Sequence, residues 1–115
     1  MNDEYEILRD AMQFFGLDHQ MVKSMEEFSE LQTELARSLN SAEFTRNLRL
    51  EIVDAQIMLD QLKMFFFTSA DEDKEHDYDA MRAAQLTRLK ATIQRERAGR
   101  DASDALYKAI VESTA

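Results

Sequence analysis

Glu26-Glu27-x-x-Glu30 and Glu51-x-x-Asp54 are the parts of this chain best equipped for chemistry. Each holds a carboxylate pair at i, i+3, a spacing that puts both side chains on one face of a helix. Two helices folded against each other would aim all four carboxylates at one point. Converging like charges repel, so the arrangement calls for a cation. Magnesium is the natural candidate, because it prefers oxygen ligands and holds nucleotide phosphates as well. Acid pairs on helices are more commonly just solvated faces. Two features count against that reading here. Glu51 and Asp54 lie in the most apolar stretch of the chain, where burying an unpaired carboxylate is costly. Glu27 and Glu30 lie near the middle of their segment, not in a first turn where the helix dipole would account for them. Lys23, Arg46 and Arg49 are the cations at hand for plain ion pairing. Lys23 sits one turn before Glu27. Ordinary i, i+4 pairing explains that spacing, and the same lysine could meet a phosphate once the site is filled.

Helices must position these acids. A first is expected from about Asp3 to Phe15, with Ile7, Leu8, Ala11, Met12, Phe14 and Phe15 as its apolar stripe and Gly16 as its stop. Asp18 is the capping candidate for a second, which runs to about Leu39 through Met21, Met25, Phe28, Leu31, Leu35 and Leu39. A third is expected from Glu43 to Phe67, with Ser41 as N-cap. Leu48, Leu50, Ile52, Val53, Ala55, Ile57, Met58, Leu59 and Leu62 cover nearly its whole circumference, the mark of a buried helix. Thr68 to Asp79 reads as an acidic exposed loop. A fourth helix is expected from Tyr78 to about Arg97, with Met81, Ala84, Leu86, Leu89 and Ile93 inward and Gly99 ending it. Asp101 to Ala115 would be a short helix or tail. The sum is an all-α fold, an antiparallel bundle of four to five helices, with residues 1–97 as one domain and 98–115 appended.

Composition agrees with that class. The 115 residues contain no proline or tryptophan and two glycines, so turn-formers are scarce, and 44% hydrophobic content argues against disorder. A formal net charge of −9 argues against a nucleic acid polymer as partner, though not against a nucleotide, whose phosphates a bridging cation can reconcile with carboxylates. No cysteine exists for a disulfide, a thiolate zinc site or a nucleophile. Neither a leader nor a membrane-length apolar run is evident, so a cytoplasmic protein is expected. The all-round apolar third helix calls for a homo-oligomer, a dimer or a dimer of dimers.

The paired acidic motif resembles the MazG-like family of the all-α NTP pyrophosphatase superfamily. Gln20-x-x-Lys23-x-x-Glu26-Glu27-x-x-Glu30-Leu31 is similar to its first motif helix, and Glu51 through Leu62 to its second. Gln85 through Lys90 is similar to the basic helix that often follows. Val53 departs from the pattern, since an alanine is more usual before the aspartate. The resemblance spans about residues 5–95. It implies Mg²⁺-dependent cleavage of (d)NTPs between the α and β phosphates, giving a monophosphate and pyrophosphate in nucleotide-pool clearance. The metal ligands would be Glu27, Glu30, Glu51 and Asp54, with Glu27 or Glu30 as catalytic base. Gln20, Lys23, Arg88 and Lys90 would contact the nucleotide, and Phe14, Phe15 and His19 are base-pocket candidates that serve equally as core or surface. Other chemistries lack their residues: no Glu-x-x-His pair suits a di-iron bundle, and no Gly-rich Lys loop suits a Walker-type NTPase. A non-enzymatic helical dimerisation or interaction module is the alternative from another class.

Overall fold

The computed structural model describes residues 3–41, 43, 46–67 and 77–114. Every regular element among them is an α-helix: α1 (Asp3–Phe15), α2 (Leu17–Ser41), α3 (Arg46–Phe66) and α4 (Tyr78–Ser113). The all-α class read from composition and periodicity is therefore the observed one. The chain divides into two compact units, Met1–Ala70 and Asp71–Ala115.

In the first unit, acidic Asp3, Glu4 and Glu6 crowd the opening turn of α1, where the helix dipole favours them. The helix stops at Gly16 as expected, because Gly16 takes φ of +84°, a left-handed conformation that side chains resist. Its N–H donates to the Met12 carbonyl at 2.9 Å, and its own carbonyl accepts from Gln20 N–H at 3.1 Å. The capping position expected of Asp18 thus falls to Gly16, one turn's geometry closing α1 and opening α2. Asp18 instead lies inside the first turn of α2. Ser41 does not cap α3 either. It is the last residue of α2, its hydroxyl donating to the Arg37 carbonyl and accepting from Glu43 N–H. The start of α3 is accordingly Arg46 and not Glu43.

Residues 20, 24, 27, 31, 34 and 38 step by four and three, and these are the positions α2 turns inward. Leu48, Glu51, Ala55, Met58 and Leu62 do the same on α3. Gln20 meets Gln61 while Glu27 meets Glu51 and Asp54, so the register descends along α3 as it rises along α2, and the pair is antiparallel. The seam is largely polar on the α2 side: Gln20, Ser24, Glu34 and Ser38 are buried, with Ser24 Oγ donating to the Gln20 carbonyl at 2.7 Å. Leu48, Ala55 and Met58 are the buried hydrophobic residues among those described. Leu50, Ile52, Val53, Ile57 and Leu59 remain exposed within one chain, so a single copy covers only part of the apolar circumference of α3. α1 packs on the back of α3, where Glu4, Tyr5 and Leu8 share a groove with Asp60, Lys63, Met64 and Phe67.

In the second unit, Asp77 precedes α4 in extended conformation (φ −69°, ψ 139°), and its carbonyl accepts from Met81 N–H. The helix then runs unbroken to Ser113, so the expected stop near Arg97 and the separate short segment beyond it do not occur. Gly99 costs a helix about 1 kcal/mol relative to alanine, and that is too little to break 36 residues of otherwise good helix formers. None of its residues is buried, including Met81, Leu86, Leu89 and Ile93, which the periodicity had pointing inward. Of the acidic loop expected over 68–79, residues 68–76 lie outside those described.

Candidate metal centre

Three carboxylates converge where the middle of α2 faces the first half of α3, with Glu30 beside them. Ligand oxygens of Glu27, Glu51 and Asp54 all lie within 4.8 Å of one another. Glu30, one turn along from Glu27, lies near enough for its charge to act on Glu51. The i, i+3 spacing of each pair and the antiparallel register together produce this gathering. Neither pair would do so alone.

Glu51 is the strained member. Its carboxyl is held above the ordinary carboxylate range, first by burial away from water, then by the negative charges of Glu30, Asp54 and Glu27. Its Oε2 is buried and has no hydrogen-bond partner. A buried carboxylate oxygen without a donor is expensive, and the price falls when a cation sits beside it. Donor chemistry fits a hard divalent ion: the set is all oxygen, from flexible carboxylates, with no soft or nitrogen ligand.

Lys23 lies at the edge of the cluster. Its Nζ is 3.2 Å from Glu27 Oε1 and 3.3 Å from Glu26 Oε2, and the two partners, Glu27 foremost, raise its pKa. The i, i+4 pairing with Glu27 is thus realised, and Glu26 engages the same ammonium from the more exposed side. Glu34, one turn beyond Glu30, is also buried but stands apart from the cluster because Arg37 Nη1 donates to it at 2.8 Å. Among the described residues, Arg46 and Arg49 make no ion pair with the four acids.

The remaining sequence candidates are placed differently. Gln20 is buried, 4% exposed, and its amide is engaged on both ends: Nε2 donates to Gln61 Oε1 at 2.7 Å and Oε1 lies 2.8 Å from His19 Nδ1. It therefore ties α2 to α3. The His19 ring stacks on Phe15 (centroids 4.6 Å, 13° between planes), and Phe15 meets Phe14 edge-on at 4.9 Å. A groove of about 340 Å³ beside them is lined by Asp18, His19, Val22, Lys23 and Glu26. All five residues belong to one helix, so the groove is surface relief and encloses nothing. Arg88 and Lys90 are exposed on α4, in the second unit. Sequence reasoning gave no role to Gln61 or to the Phe15–His19 stack. The Gln20–Gln61 partners are 41 residues apart, and no local pattern announces such a bond.

Comparison with protein-family models, with curated proteins and with solved structures finds no match to this chain.

Proposed function

We propose that this protein is a divalent-cation-dependent hydrolase of nucleoside triphosphates that releases pyrophosphate. The observation that carries the proposal is the meeting of Glu27, Glu51 and Asp54 within 4.8 Å, around a buried Glu51 oxygen that has no partner. The motif resemblance points the same way and supplies the substrate class. In this reading Glu27, Glu30, Glu51 and Asp54 hold Mg²⁺. When bound, the cation would neutralise the triphosphate, polarise the α-phosphorus and acidify a water molecule.

The chain's own groups do the rest. Glu30 is free of any cation pairing among the described residues, so it is the better placed of the two candidate bases to accept the attacking water's proton. Glu27 is already committed to Lys23. Lys23 swings from Glu26 and Glu27 to the substrate phosphates, where a cation stabilises charge on the departing pyrophosphate. Gln20 holds α2 at its distance from α3, and with it the separation of the two acidic pairs.

The test is a panel of nucleoside triphosphates with magnesium, scored for pyrophosphate, on wild type and Asp54→Asn. Release with one or more substrates by wild type, and its loss in a variant with unchanged helical circular dichroism, is the expected result. Equal rates in the two proteins would refute the ligand assignment. The rival, a non-enzymatic interaction module, draws on the exposed apolar faces of α2 and α3. It requires that magnesium and nucleotide leave the melting temperature unchanged.

A further inference from the structure

The α2 side of the hairpin seam is largely polar, and much of the apolar surface of the hairpin lies outward. From Met21 to Ser41, every charged residue of α2 (Lys23, Glu26, Glu27, Glu30, Glu34 and Arg37) falls within a sector of roughly 100° around the helix axis. The flank across the α3 seam from that sector carries Met21, Met25, Phe28, Gln32, Leu35 and Leu39, again stepping by four and three. Met25 is 71% exposed and Leu39 85% exposed. On α3, Ile52 and Leu59 stand seven residues apart on the same flank, about half exposed, on the opposite side of that helix from Asp54.

We infer that this flank is an interface between two copies of the chain, α2 packing against α2 across a two-fold axis near Gln32. Three observations select that occupant. The first is spacing. A strict four-three stripe is the pattern of a helix–helix seam, and it extends for about 20 residues or ~30 Å. Its partner must be a helix of matching length and pattern, and α2 itself is one. The second is area. The exposed parts of Met21, Met25, Leu35, Leu39, Ile52 and Leu59 amount to on the order of 500 Å² of apolar surface. That is the apolar share of the ~800 Å² each partner buries in a stable complex. The third is charge. The α2 stripe from Met21 to Leu39 is free of it, as interface centres are, and the charge on the α3 side of this flank is Lys63 at its end, while the opposite flank carries the acidic cluster and would repel its own copy. The axis therefore leaves both acidic clusters facing outward, on the far sides of the pair.

The absence of cysteine makes the test clean. In full-length Gln32→Cys under mild oxidation, a disulfide should join two copies, since the residue at a two-fold axis meets its own equivalent within disulfide reach. Wild type should sediment as a dimer or an even multiple at 10 µM. Met25→Glu combined with Leu39→Glu should weaken association by roughly 100-fold or more, by gathering like charges on the seam, with helical content retained because both positions are exposed in one copy. A wild-type monomer at 100 µM overturns the inference, whatever else the stripe then binds. So does a dimer that neither cross-links through position 32 nor responds to the two glutamates. Outcomes here do not depend on the metal centre or on any activity.

Discussion

Glu51→Gln should stabilise the metal-free chain and, in the same protein, remove its response to magnesium. The two effects have one cause. Folding brings Glu51 out of water and against Glu30, Asp54 and Glu27, so its proton is held more tightly folded than unfolded. With the folded state binding more protons, stability must fall as pH rises from the ordinary value of 4.5 through the raised folded value, and then level off. Glutamine keeps the shape and removes that titration. In chelator the variant should therefore melt above wild type at pH 7.5, with the gap closing as pH drops towards 4.5. Magnesium reverses the order. A ligand at ten times its dissociation constant stabilises by about 1.4 kcal/mol through mass action. For the Met1–Ala70 unit, of the size where 1 kcal/mol moves the midpoint by about 4–8 °C, the wild-type shift is about 6–11 °C. Circular dichroism melts of both proteins, in chelator and in magnesium, read all four states. A variant less stable than wild type in chelator at pH 7.5 would refute the electrostatic reasoning. A variant with the full magnesium shift would refute the role of Glu51 as a ligand.

Two further outcomes follow from the fold. Gln20→Ala should cost about 1–3 kcal/mol, because it strands the buried Gln61 Oε1, while Gln20→Leu paired with Gln61→Leu should recover most of that loss; urea unfolding of the single and double variants separates the cases. Gly99→Ala should raise helicity and stabilise α4 by about 1 kcal/mol, since the added Cβ meets nothing within 4 Å; an unchanged or lower helical signal would contradict an unbroken α4.

Period and spacing along the chain determined that the protein is helical, that α1 ends at Gly16, and that each acidic pair shares a helix face. These are local properties, fixed by 3.6 residues per turn and by the one glycine that takes positive φ. The i, i+4 pairing of Lys23 with Glu27 was legible for the same reason. Where the chain had to choose among partners, local pattern gave the wrong answer or none. Apolar residues around α3 and along α4 signal a need for burial, but sequence does not say which neighbour provides it, and one chain covers few of them. A glycine at 99 carries the same letter as the glycine at 16, yet it sits inside a helix because nothing there demands a left-handed turn. Gln20 read as a substrate contact by its place in a motif, and tertiary packing spends both ends of its amide on Gln61 and His19. The convergence of Glu51 with Glu27, Glu30 and Asp54 is also tertiary. Spacing makes each pair, but only the antiparallel register of α2 on α3 brings Glu27, Glu51 and Asp54 within reach of a single ion.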